Sequence, residues 1–273
     1  AQASPFPDAA SAWLWWMWPC LLALVASSEM KQADVFLVHG VQNKLDAANY
    51  FTPFVERIQK FLTLEQRGHV RFHPVDYSSI LDERENVIYS WMRSDHWQKL
   101  RWVGCKLICD VLAYAYPKRP AQAGDVIFDI TKLLTDKFVE VTAQYPSSGK
   151  WIIGHSLGCI VGNGFAWDVK IDGLITMGNP HDYFSIRYKG FGEDNKDLPY
   201  FINFHNPWDP ISTRVSKNPN FKRVTDVLVS NWNPLLKLPI RAHTAYWTND
   251  KVAQRIATTL SVQRPREDFA VRS

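Results

Sequence analysis

Three side chains far apart in the sequence have the types and the order that serine-based acyl transfer needs: Ser156, Asp209 and His243. A serine hydroxyl at its ordinary pKa is a poor nucleophile. It needs a base to take its proton and an acid to hold that base in the right tautomer. Ser156 stands in Gly154-His155-Ser156-Leu157-Gly158, directly after the apolar run Trp151-Ile152-Ile153 and directly before a segment of helical periodicity. On such a strand–turn–helix corner the backbone is strained and the serine Oγ is thrust above the sheet. The flanking glycines leave room for neighbouring backbone. The plainer alternative is a glycine-rich turn whose serine only caps the helix.

The acid and the base must come later in the chain. Asp209, in Asn206-Pro207-Trp208-Asp209-Pro210, follows the apolar run Phe201–Phe204, and so falls at the carboxyl end of a strand, where ligands bind in open α/β sheets. Asp172 and Asp182, on either side of the preceding strand, are rival acids, and Asp182 is the stronger of the two. Among eight histidines, His243 in Arg241-Ala242-His243-Thr244-Ala245-Tyr246-Trp247 follows the last expected strand and precedes the terminal helix. His205 comes too early, His155 faces sideways beside Ser156, and His69, His73, His96 and His181 suit surface or loop roles. An oxyanion needs two backbone donors: the amide after the nucleophile, at Leu157, and one from the loop after the first strand. His39-Gly40-Val41 follows Asp34–Val38 at once, which makes Val41 the second donor, with Gln42 next in line.

These residues need a scaffold of alternating strands and helices. Short apolar runs mark strands at Asp34–Val38, Val70–Val75, Trp151–Gly154, Leu174–Met177, Phe201–Phe204 and Val224–Val229. Helical periodicity covers Asp46–Leu64, Asp125–Ala143, Leu157–Val169 and Asn249–Leu260. Alternation of this kind predicts an α/β fold, a mostly parallel sheet flanked by helices. Residues 79–120, with Trp91, Trp97 and Trp102, are too long for a simple crossover. They read as a helical insertion, placed as a cap over the site or as an extra packing helix beside it.

The ordered set His39-Gly40-Val41, GHSLG at 154–158, NPWDP at 206–210 and AHTAYW at 242–247 resembles the α/β-hydrolase family of esterases and lipases, over residues 33–260. The resemblance implies an acyl-enzyme on Ser156, deprotonated by His243, with Asp209 orienting the imidazole, and no metal or cofactor. It implies a carboxylic-ester hydrolase, and the many aromatic residues near the expected rim point to a lipid-like or other apolar acyl substrate. A thioesterase or acyltransferase could use the same triad, and a non-catalytic binding or assembly subunit could share the fold. The loop after the first strand has a single His-Gly where many lipases have a run of glycines. The Trp-rich segment also replaces the strands that usually come first.

Composition fits this picture. The 273 residues are 46% hydrophobic, 14% aromatic and 21% charged, values that belong to a globular domain and to neither a disordered nor a fibrous chain. A formal charge of +4, with Lys and Arg scattered, argues against a nucleic-acid partner. Cys20, Cys105, Cys109 and Cys159 match neither a disulfide framework nor a zinc motif and read as buried thiols. Residues 1–29 form a segment apart from the hydrolase domain at 30–273. Ser11–Ser28 is an uncharged run of 18 positions with four tryptophans. As a helix it would extend about 27 Å, with Pro19 as a kink. Its tryptophans suit a lipid–water interface or an apolar protein surface, and burial on the protein's own core is the alternative. Residues 1–11 contain no Lys or Arg, which disfavours a cleavable signal.

Overall fold

A strand buried on both faces must be mostly apolar, and the central strands are, apart from buried polar residues such as Asp34, Lys150, Thr176 and Asn203. The computed structural model describes residues 32–40, 47–77, 80, 126–182, 198–217, 221, 223–229 and 239–261. Its strands are β1 (Ala33–Val38), β2 (Val70–Val75), β3 (Gly149–His155), β4 (Gly173–Met177), β5 (Tyr200–His205) and β6 (Val224–Leu228). They form one six-stranded sheet in the order β2-β1-β3-β4-β5-β6. Every neighbouring pair runs parallel. The helices are α1 (Ala47–Gln59), α2 (Leu64–His69), α3 (Val126–Gln144), α4 (Leu157–Asp168), α5 (Pro239–Thr244) and α6 (Asp250–Ser261), with 3₁₀ turns at Val215–Lys217 and Ala245–Thr248.

The period of two along each strand sorts its side chains into two cores. Phe36, Val38, Ile152, Leu174 and Phe201 face Ile130, Leu134 and Val141 of α3 and Ile160, Val161 and Phe165 of α4. The alternate positions, Val35, Leu37, Trp151, Ile153, Ile175 and Phe204, face Phe51, Phe54 and Ile58 of α1 and Val252, Ile256 and Leu260 of α6. Helices thus cover both faces of the sheet, which is the doubly covered architecture the alternation predicts.

All six expected strands are present, but the expected helix Asp46–Leu64 is divided. α1 stops at Gln59, and Thr63 starts α2 through a capping box in which its Oγ1 accepts from the Gln66 amide and its own amide donates to Gln66 Oε1. Residues 1–29, the loop at 41–46 and, apart from Ile80, the insertion 79–120 lie outside the described residues. So do Cys20, Cys105 and Cys109. Cys159 is a buried free thiol, as expected. Among the described residues no helix is long and apolar enough to cross a membrane.

One rung of the sheet carries charge. Asp34 on β1 is in register with Arg71 on β2 and Lys150 on β3 and is fully buried. It receives Arg71 Nε at 2.8 Å, His73 Nε2 at 2.9 Å, Lys150 Nζ at 3.1 Å and the Ser148 hydroxyl. Burial alone would raise the Asp34 carboxyl. The bonds from Arg71, Ser148, His73 and Lys150 outweigh it and hold the group well below its ordinary 3.8. His73 therefore has a structural role in this pairing and is not a free surface residue. A lowered carboxyl contributes stability above its ordinary pKa and loses it as pH falls through the folded value. We expect Asp34→Asn to cost about 3–5 kcal/mol near neutrality, because it strands the buried Lys150 ammonium. Urea melts should show that deficit narrowing as pH falls below about 4. An equal deficit at pH 7 and pH 3 would refute this account.

Candidate active site

Strand order reverses between β1 and β3: from β1 the chain passes to β2 on one side, and β3 then pairs on the other. The carboxyl ends of strands at such a reversal flank the crevice where open α/β sheets bind ligands. His39-Gly40 leaves β1 at this point and Ser156 leaves β3, so the expected nucleophile stands where topology places a site.

Ser156 occupies the turn between β3 and α4 with φ 55° and ψ −124°. This is a costly conformation for a side chain other than glycine, one that persists only where the surroundings impose it. The surroundings are tight. A Cβ on Gly158 would lie 2.2 Å from the Val38 carbonyl oxygen, and one on Gly154 would lie 2.6 Å from that of Gly158. The turn is therefore clamped between β1 and the first turn of α4, with the Ser156 amide donating to the Met177 carbonyl at 3.0 Å. Ser156 makes no side-chain capping bond to α4, which removes the plainer alternative of a capping serine. Leu157 is the first residue of α4, so no intrahelical carbonyl takes its amide.

Asp209 and His243 meet. His243 Nδ1 donates to Asp209 Oδ2 at 2.9 Å, which leaves Nε2 with the lone pair that can accept a proton. Asp209 Oδ1 accepts from the Ile211 amide at 3.0 Å, and Oδ2 also accepts from the Tyr246 hydroxyl at 3.0 Å. Burial works to raise the Asp209 carboxyl, but the hydrogen bond and charge of His243, with the Ile211 and Tyr246 bonds, leave it below its ordinary value. It is a carboxylate at neutral pH. Gly178, at φ +60°, makes room for the pair: a Cβ there would lie 3.0 Å from His243 Nδ1 and 3.1 Å from Asp209 Oδ2. The rival Asp172 is used elsewhere, accepting from the Lys150 amide.

Ser156 and His243 are linked through His155, the last residue of β3. His155 Nε2 donates to the His243 carbonyl at 2.8 Å, and the two imidazoles lie 4.8 Å apart. Burial, and then the charge of His243, push His155 down to about 3, so it stays neutral beside the His243 ring. His243 itself lies in the last turn of α5, a short helix without sequence periodicity. His181, expected in a surface or loop role, is fully buried against Phe221 at a 4.3 Å ring separation.

The loop after β1 is held by His39. Its ring stacks on Tyr77 at 4.2 Å, its Nδ1 donates to the Gly40 carbonyl at 2.5 Å, and its Nε2 lies 3.4 Å from Asp76 Oδ1. The Tyr77 hydroxyl closes on the His39 carbonyl. Gly40 lies against Ser156: a Cβ there would lie 3.1 Å from Ser156 Oγ. Val41, the expected second oxyanion donor, and Gln42 lie outside the described residues.

The loop that carries Asp209 is tied to β5 through Asn203. Its amide donates to the Thr213 carbonyl at 2.9 Å and to Asp226 Oδ1 at 2.7 Å, and its Oδ1 accepts from Thr176. Thr213 in turn donates from its amide to the Asn179 carbonyl at 3.1 Å. Nothing in the sequence pattern marks Asn203, since it interrupts an apolar strand.

No family model matches the chain, and no curated protein matches it. Among solved structures, it is similar to an α/β serine hydrolase homologue from Coxiella burnetii, at 11% identity over 86% of each chain and a TM-score of 0.45. An α/β serine hydrolase without a lid from Xanthomonas campestris aligns at 12% identity over 88% of this chain and 87% of its own, with a TM-score of 0.44. A cutinase-like protein from Cryptococcus sp. aligns at 11% identity over 86% and 96%, with a TM-score of 0.42. The six-stranded parallel sheet with helices on both faces, and the strand–turn–helix corner at Ser156, give this chain an α/β-hydrolase fold.

Proposed function

We propose that the chain is a serine hydrolase that cleaves a carboxylic ester with a lipid-like or other apolar acyl group, through an acyl-enzyme on Ser156. The observation that carries this reading is the His243 Nδ1 to Asp209 Oδ2 bond of 2.9 Å, at the same sheet end as a serine held at φ 55°. In the reaction His243 Nε2 takes the hydroxyl proton as Ser156 Oγ attacks the ester carbonyl. The tetrahedral oxyanion is received by the Leu157 and Val41 amides. Collapse expels the alcohol, which carries off the proton from His243, and water then hydrolyses the acyl-enzyme by the same steps. Asp209 stays ionised and stabilises the imidazolium.

Aromatic side chains beside the site support an apolar substrate. Trp208, next to Asp209, is 52% exposed, and Tyr50 and Trp247 pack edge to face at 5.2 Å. The test is labelling of the folded chain by a fluorophosphonate, followed by aryl esters and thioesters of increasing chain length. Labelling that Ser156→Ala removes, with ester turnover that rises with chain length, supports the proposal. A folded chain that takes no label is a binding subunit, and a preference for thioesters moves the reaction to that class.

A further inference from the structure

Resting on the hydrolase reading, we infer that Tyr246 is a positioning residue: its hydroxyl shares Asp209 Oδ2 with His243 and sets how strongly the carboxylate holds the imidazole. The two donors reach one oxygen from one piece of chain. His243 is in the last turn of α5 and Tyr246 is three residues on, in the following 3₁₀ turn. Residues three apart on such a segment lie on one side of it. Nδ1 arrives at 2.9 Å and the phenol at 3.0 Å. Tyr246 is fully buried in the core facing α1 and α6, so its hydroxyl cannot exchange this bond for one to water, and its ring is held by packing.

The chemistry follows from what a carboxylate oxygen can share. Each donor withdraws charge from Oδ2, so the phenol makes Asp209 a weaker acceptor towards His243. Burial and the nearby Asp209 charge hold the phenol far above its ordinary value, so it remains a donor throughout the working pH range. The result is an imidazole kept in orientation by a carboxylate whose hold on it the phenol moderates. The other titratable groups facing this pair are His155 from β3 and Cys159 from α4, with His39, from the loop after β1, acting on His155. Their ring and thiol atoms bond elsewhere: His155 to the His243 carbonyl, Cys159 to the Gly154 and Met177 carbonyls, and His39 to the Gly40 carbonyl.

Tyr246→Phe removes the one oxygen and keeps the ring. Without the competing donor, His243 should hold its proton more tightly. The acid limb of the kcat/KM profile should move up by about 0.5–1 pH, with KM for a short aryl ester unchanged. In the full-length protein labelled with isotopic histidine, the His243 Nδ1 proton resonance should move downfield and the ring should titrate at higher pH. A role in packing alone would lower the melting temperature and leave both readouts in place, and that result would overturn the inference, as would a limb that moves down. The resonance is read without turnover. A wild-type chain that hydrolyses nothing therefore defeats the hydrolase reading, while the resonance still decides the role of Tyr246.

Discussion

Ser156→Ala and His243→Ala should each lower ester turnover by about 10⁴-fold or more while leaving the melting temperature close to that of the wild type. In the proposed mechanism the first removes the atom that forms the bond to the acyl carbon, and the second removes the atom that takes its proton. Neither change empties a core, since Ser156 and His243 lie outside both apolar clusters. Ser156→Ala does not relieve the strained elbow, because alanine at φ 55° is no more comfortable than serine, and the change should be close to neutral in stability. The double variant should be no worse than either single one, since the two residues act as a unit. Near-normal turnover in either single variant would end the proposed mechanism.

Asp209→Asn should reduce kcat on the order of 10⁴-fold. An amide can present its NH₂ to Nδ1, which turns the imidazole into the tautomer that carries a proton on Nε2 and cannot accept one from Ser156. Asp182→Asn should change kcat little, because it is Asp209 Oδ2 that His243 Nδ1 reaches. Stopped assays on both variants with one activated ester separate the two carboxylates, and a reversed pattern would hand the orienting role to Asp182.

The strands were readable because burial on both faces leaves almost no choice of residue: Val35 to Val38 and Trp151 to Ile153 are apolar on either side of the sheet. Ser156 was readable for a related reason, since the clearances at Gly154 and Gly158 admit only glycine and so write themselves into the sequence. Short elements leave no such trace. α5 is six residues long, too short for a helical period, so His243 could be placed after the last strand but not on a helix. The end of α1 was missed although Thr63 and Gln66 spell a capping box, because the apolar pattern continues across the break in Phe61, Leu62 and Leu64. Polar partners chosen by three-dimensional proximity, such as Tyr246 for Asp209 and Asn203 for Thr213, follow no spacing at all.

The Asn203 bonds couple two parts of the molecule that differ in robustness. β6 is the outer strand at its end of the described sheet, paired to β5 alone among the described strands, and its Asp226 receives Asn203 Nδ2 while also taking the Ser216 amide and hydroxyl. Outer strands open by sub-global fluctuation at lower free energy than central ones. Each opening of β6 releases Asp226 and with it two anchors of the segment that leads from Asp209 to Ser216, although the elbow between β1 and β3 remains closed. Heat inactivation should therefore precede unfolding of the molecule, and amide exchange at Val224–Leu228 should track the inactivation rate while exchange at Trp151–Ile153 tracks the melt. Under the proposed function, the thermal ceiling of activity would thus be set by the fraying of one strand that contributes no atom to the proposed reaction.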